Sequence, residues 1–125
     1  MDPRQAKFLL DIFLAEYEEE VPVTKGVLLA IPEYASDYRP DPESMTGGTL
    51  AWHIVTSEVW MLDGLLRGSF DRGRFKRNPP TIREIVEWYE AKLDALLPSI
   101  KSLSGKDLAQ TISFFGLEFP KAVFP

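Results

Sequence analysis

Residues 45–70, MTGGTLAWHIVTSEVWMLDGLLRGSF, constrain the fold of this chain more than any other stretch. Their large apolar residues recur at three- and four-residue intervals, the spacing of one face of an α-helix. These apolar residues are Leu50, Ile54, Val55, Val59, Met61, Leu62, Leu65 and Leu66. Gly68 follows them, and glycine at that place favours a left-handed helix cap. The stretch therefore predicts one core helix that begins between Thr46 and Thr49.

A second helix is predicted at the start of the chain. Asp2 can accept an N–H of the first turn, and Pro3 suits the first helical position because it has no N–H to satisfy. The apolar spacing predicts a helix over about 3–30, bent at Pro22, which cannot donate a helix hydrogen bond. A proline-containing loop over 32–46 follows. We expect its aromatic residues to pack against the core or, alternatively, to form a binding surface. They are Tyr34 and Tyr38.

A third helix is predicted after two consecutive prolines. The Thr-x-x-Glu pattern at 81–84 is a capping box, and the apolar spacing extends the helix over about 81–102 with a kink at Pro98. Residues 111–119 are rich in β-branched and aromatic side chains and are predicted to be extended. Residues 120–124 could open a fourth helix, of which only the start lies in this chain.

Charge and composition exclude several classes of function. The chain has 125 residues, which fits one domain, and a net charge of −5, which argues against nucleic acid or an anionic membrane as the main partner. One basic cluster alternates with aromatic residues between the second and third helices, and we interpret it as a solvated connector. Its members are Phe70, Arg72, Arg74, Phe75, Lys76 and Arg77.

The chain contains no cysteine, which excludes disulfides, thiol nucleophiles and cysteine-bound zinc. It shows neither a signal peptide nor an apolar run of the roughly 20 residues that a membrane helix needs. A cytoplasmic location is therefore the expectation. The sequence also lacks the glycine-rich phosphate-binding motifs and the G-x-S-x-G motif of a nucleophile elbow.

The order of elements, with TLAWHIVTSEVWMLDGLL at 49–66 and GLEFPKAVF at 116–124, resembles the DinB/YfiT-like superfamily of metal-dependent four-helix-bundle proteins. The resemblance implies an all-α, DinB-like helical bundle in a single domain over 1–125. Three main helices, a short extended segment and only the start of a fourth helix would be present. Relative to the family, the chain is expected to be shortened at its C-terminus.

The resemblance also implies a divalent metal, Ni²⁺ or Zn²⁺, held by three histidines. His53, the only histidine, matches the ligand on the second helix, whereas the H-x-x-x-H pair of the last helix has no match in this sequence. Carboxylates are poor substitutes on the same helix, because Glu58 and Asp63 point away from His53 at i+5 and i+10. Carboxylates elsewhere or a second chain could complete the site. Alternatively, a hydrogen bond to the hydroxyl of Thr49 or Ser57 would make His53 a structural residue.

Two functions remain open from the sequence. The resemblance implies a metal-dependent hydrolase or thiol-dependent transferase whose metal site is incomplete in this chain, with His53 as its one identified ligand. The alternative is a non-catalytic binding or interaction scaffold, which could be an engineered one. Three apolar helix faces without a fourth helix would leave a groove open, so we expect a homodimer or a protein partner to cover it.

Overall fold

The computed structural model describes residues 2–35, 37, 46–71, 73–75, 81–114 and 117–123. Four α-helices and one antiparallel hairpin make up the regular structure of these residues. The helices are α1 (Pro3–Leu29), α2 (Gly47–Arg67), α3 (Ile82–Lys101) and the short α4 (Gly105–Leu108). The hairpin strands are β1 (Thr111–Phe114) and β2 (Leu117–Pro120), with Thr111 opposite Pro120. Single 3₁₀ turns cover Glu33–Ala35 and Lys121–Val123.

Each long helix begins where the sequence places a capping side chain. In each case a side-chain oxygen accepts a backbone N–H of the first turn, which satisfies one of the unpaired donors of a helix start. The accepting residues are Asp2, Thr46 and Thr81, at 2.7, 3.1 and 3.0 Å. Gly68 ends α2 with φ 80°, so the predicted left-handed cap is confirmed.

Both long helices that contain a proline continue through it. Pro22 lies inside α1 and Pro98 lies inside α3, so the predicted helices over about 3–30 and 81–102 are confirmed to within a residue or two of their ends. Each proline lacks the N–H that would bond the carbonyl four residues earlier, which removes one hydrogen bond from each helix.

The core lies along α3, which packs against both α1 and α2. Within the described residues, the backbones of α1 and α2 approach each other closely at few points. Among the residues whose burial is described, Tyr89 on α3 is the largest fully buried side chain. Other residues with no exposed area include Ala6, Leu10, Val55, Val59, Ile100 and Leu108. Lys7 ties α1 to the end of α3, because its Nζ donates to the carbonyls of Lys101 at 2.7 Å and Leu103 at 3.1 Å.

The loop after α1 is attached differently from the sequence-based expectation. Tyr34 is 88% exposed, so the prediction that it packs against the core is wrong, and Tyr38 lies outside the described residues. Glu33 anchors the loop instead, because its carboxylate accepts the backbone N–H groups of Ile82 and Arg83, both at 3.3 Å. A carboxylate is stabilised there by the unpaired N–H groups and positive dipole end of α3.

The predicted all-α fold class is confirmed. Three long helices form the body, the segment predicted to be extended forms the hairpin, and one 3₁₀ turn stands where a fourth helix was predicted to start. Among the helices of the described ranges, none is both long and apolar enough to span a membrane.

Candidate functional site

His53 lies on α2, and its side chain is exposed. Thr49 and Ser57 lie one helical turn away on either side, and both are exposed as well. Among the described residues, neither hydroxyl bonds the His53 ring, so the predicted structural hydrogen bond is not formed. The backbone carbonyl of His53 accepts a bond from Thr56 Oγ1 at 3.3 Å. The imidazole is therefore accessible from solvent.

The described residues contain no group of three or more histidine, cysteine, aspartate or glutamate side chains that could hold a metal ion. Glu58 and Asp63 point away from His53, as their spacing along the helix predicts. Glu58 reaches into the bundle, and Asp63 pairs with arginines. A catalytic metal requires about three protein ligands. The described part of the chain therefore does not fit such a site by itself, and we derive no reaction step through a metal.

A chain of hydrogen bonds links the three long helices near their midpoints. The hydroxyl of Tyr89 on α3 donates to Glu58 Oε1 on α2 at 2.9 Å. The hydroxyl of Tyr17 on α1 lies 3.1 Å from the Tyr89 oxygen. Because the single proton of Tyr89 goes to Glu58, Tyr17 is the donor in the second bond. We call these three residues the polar chain.

The polar chain is not evident from hydrophobic spacing alone. One signal was available in the sequence, since Glu58 lies three residues after Val55 and four before Leu62, which are both core residues. A carboxylate on an apolar helix face needs a buried donor, because an unpaired buried charge is strongly unfavourable. The sequence contained that requirement but not the identity of the donor, which comes from another helix.

Burial raises the pKa of both tyrosines above the ordinary value, and the negative charge of Glu58 raises both further. Both hydroxyls therefore remain protonated at physiological pH and are available as donors. Their protons are used within the polar chain. The arrangement therefore fixes α1, α2 and α3 relative to one another and does not supply a nucleophile.

A second polar cluster attaches the connector after α2 to the helices. Asp63 is only 7% exposed, and its Oδ2 lies 2.7 Å from Arg74 Nε and 3.4 Å from Arg67 Nη1. Phe75 packs edge-on against Trp88 of α3, with ring centroids 5.4 Å apart. Phe75 is thus partly buried against α3, which corrects the prediction of a solvated connector for this residue. Arg74 pairs with Asp63, and its side chain stays exposed. Other members of that basic cluster lie outside the described residues, namely Arg72, Lys76 and Arg77.

Exposed apolar side chains lie on α1 and α2, on the edges turned away from α3. Glu18 and Lys25 form ion pairs with α3 and so mark the edge of α1 that faces α3. Trp52 packs on a tryptophan of α3 and marks the corresponding edge of α2. At about 100° per residue, Leu29 lies on the α3-facing edge of α1, whereas seven other exposed apolar residues point away from these edges. They are Phe8, Leu9, Ile12, Val23 and Val27 on α1 and Leu50 and Ile54 on α2. We call these seven residues the open face.

The clefts lined by described residues include one between α1 and α3 and one beside Trp60. The larger, of about 540 Å³, lies between α1 and α3 at Pro22 and Pro98. The smaller, of about 280 Å³, lies beside Trp60 and residues 73–75. The lysines and the arginine that line them are already held in ion pairs. These pairs are Lys25–Glu90, Lys101–Glu18 and Arg74–Asp63.

Comparison with known proteins gives one family for this architecture. The sequence model of the DinB superfamily matches residues 16–123, which is most of the chain. Among solved structures, a DinB-like protein from Bacillus cereus ATCC 10987 matches with a TM-score of 0.76 and 25% identity, over 92% of this chain and 77% of that one. No curated protein matches the chain. The helix order, the capped α2 that carries His53 and these matches agree, and the chain belongs to the DinB superfamily.

Proposed function

We propose that this chain is an interaction module that binds a protein partner through the open face. The observation that carries the proposal is the exposure of large apolar side chains along the outer edges of α1 and α2, with Phe8 65% and Val27 63% exposed. Large exposed apolar side chains grouped along one edge of a helix are typical of sites that bind a partner. The polar chain and the core hold α1 and α2 in fixed positions, so the surface is preorganised for binding.

Occupation of the open face by an amphipathic helix is the expected result of a direct test. The probe is a synthetic amphipathic peptide of about 20 residues, roughly 30 Å as a helix, with leucines along one face. Amide NMR spectra should show the largest shifts at residues of the open face. The same spectra recorded over a dilution series, with light scattering, would detect a second copy as the occupant.

Matched variants make this test specific. The double variant Ile12→Ser and Val27→Ser should weaken binding of the peptide at least about tenfold, because two apolar contacts are lost. Leu29→Ser is the control, since Leu29 is 56% exposed but lies on the α3-facing edge of α1. Equal effects of both changes, or a monomer at millimolar concentration that binds no peptide, would refute the proposal.

The second candidate function is the metal-dependent hydrolase or thiol-dependent transferase that the family resemblance implies. It is supported by the accessible imidazole of His53, which lies three residues from Leu50 of the open face. A segment that covers the open face would come close to this imidazole. Such a segment would have to supply the remaining ligands of a Ni²⁺ or Zn²⁺ ion, because a lone histidine is a weak metal site.

Metal content of the purified protein tests this candidate. Stoichiometric Ni²⁺ or Zn²⁺ that is lost in His53→Ala would support it, and Ser57→Ala serves as the control on the same exposed surface. Stability of the fold is not expected to change in His53→Ala, because the ring is exposed and makes no hydrogen bond to a described residue. A metal-free protein that takes up no metal from solution, with or without His53, would exclude His53 as a ligand in this chain.

A further inference from the structure

We infer that the partner of the open face is an amphipathic helix with lysine or arginine residues at its middle and apolar residues at both ends. This inference rests on the proposed function and names the chemistry of the partner. It comes from the order of side chains along the exposed edge of α1. That order is apolar, acidic, apolar, and its members follow one another at helical spacing.

The α1 stripe runs from Phe8 to Val27, roughly 28 Å along the helix axis. Its two apolar ends are Phe8, Leu9 and Ile12 at one side and Val23 and Val27 at the other. Its middle is acidic and consists of Glu16, Glu19 and Glu20, all exposed. Spacings of three and four residues, with Phe8–Leu9 and Glu19–Glu20 as adjacent pairs, put these eight side chains within about a third of the helix circumference.

The acidic middle of the stripe is not neutralised within the described part of the chain. Of the neighbouring acids on α1, Glu18 pairs with Lys101 at 2.5 Å across the opposite edge. Among the described residues, by contrast, no lysine or arginine forms an ion pair with Glu16, Glu19 or Glu20. Apolar surface and unpaired carboxylates therefore face the same solvent, and a basic, apolar-ended helix would complement both.

Symmetry argues against a second copy of the chain as the occupant of the stripe. A two-fold interface places the same surface of each copy against the other. The acidic residues lie at the centre of the stripe, so they would face each other in an antiparallel pair of α1 helices and equally in a parallel one. Like charges at the centre of an interface are unfavourable, whereas a basic partner converts them into ion pairs.

Three peptides that differ only at their centre test the inference. Each has about 20 residues, which match the stripe in length, the same apolar ends and either three lysines, three glutamines or three glutamates in the middle. The lysine peptide is expected to bind about tenfold more tightly than the glutamate peptide at low salt, since exposed ion pairs add modestly to affinity. That difference should shrink as salt is added. Isothermal titration calorimetry gives both measurements.

Two protein variants with the same change in net charge show which carboxylates cause the preference for the lysine peptide. A triple variant, Glu16→Gln, Glu19→Gln and Glu20→Gln, should bind the lysine and glutamate peptides almost equally. A control with the same change in net charge neutralises three exposed acids of α3 and should keep the preference for lysine. The control substitutions are Glu84→Gln, Glu87→Gln and Asp94→Asn.

The possible outcomes separate this inference from the proposed function. Equal binding of all three peptides at the open face would overturn the inference and leave the interaction module intact. Loss of the preference in the α3 control as well as in the α1 variant would also overturn it, because the effect would then follow net charge alone. Concentration-dependent shifts at the stripe without peptide would assign the face to a second copy and overturn it. Failure of every peptide to bind would refute both proposals.

Discussion

Replacement of Tyr89 by alanine is expected to lower the free energy of unfolding by about 3–5 kcal/mol, the range for removal of a buried aromatic side chain. Tyr89 has no exposed area and lies at the centre of the polar chain between Tyr17 and Glu58. The substitution opens a cavity and leaves Glu58 without its buried donor. Domains of this size are stable by only about 5–15 kcal/mol, so a large part of the total would be lost. Urea unfolding followed by circular dichroism measures the change.

Tyr89→Phe separates the hydroxyl from the ring. Phenylalanine keeps the packing but leaves a carboxylate and a tyrosine without partners, so we expect a loss of about 1–3 kcal/mol. A loss close to that of alanine would mean that the hydroxyl accounts for the whole effect. No loss at all would show that the polar chain does not stabilise the fold.

Alkaline unfolding gives an independent check on the same residue. Burial raises the pKa of Tyr89 above the unfolded value of 10.0, so the stability that comes from this neutral hydroxyl is complete below that pH. At higher pH the unfolded state loses the proton and the folded state keeps it. Stability should then fall with a slope approaching about 1.4 kcal/mol per pH unit for this residue. In Tyr89→Phe that contribution to the slope should disappear.

Gly105→Ala is expected to cost about 1–3 kcal/mol, as overpacking does where the backbone cannot move freely. Gly105 is the first residue of α4 and lies directly against the backbone of Pro3 at the start of α1. A Cβ at this position would overlap the Pro3 carbonyl oxygen, which belongs to backbone and cannot rotate away. Since α4 must then shift, its contact with α1 is weakened. Thermal unfolding would show a lower midpoint.

Gly26→Ala is the matched control for that prediction. Gly26 lies inside α1, and an added Cβ would have no atom within 4 Å. Alanine there should stabilise the protein by about 0.5–1 kcal/mol, because glycine loses more backbone entropy in a helix interior. If Gly105→Ala and Gly26→Ala changed stability in the same direction, the close contact with Pro3 would not be the reason for glycine at position 105.

Features that depend on neighbouring residues in the chain could be predicted well. Helix starts at Asp2, Thr46 and Thr81 and the stop at Gly68 follow from local hydrogen bonds and backbone conformation, so a few adjacent residues suffice to predict them. Long helices followed from apolar spacing alone. The opposite directions of His53 and Glu58 on α2 also followed, because helical geometry fixes them.

Features that depend on contacts between distant residues were missed or wrong. Tyr34 was expected to pack, and it is exposed, whereas Glu33 anchors the loop to α3. Arg74 was expected to be solvated, and its side chain is exposed, but its ion pair with Asp63 of α2 was missed. In each case the deciding partner lies at least eleven residues away in the sequence, and only packing brings the two together.

The sequence by itself determined the three helices, their capped ends and the presence of a single ligand-like histidine at His53, because these depend on local geometry and on composition. Only the tertiary structure decided what the helix faces meet. It placed Tyr17 and Tyr89 around Glu58 and left the apolar edges of α1 and α2 exposed. A helix face is apolar or polar by its sequence, but whether that face is buried depends on which other helices pack against it.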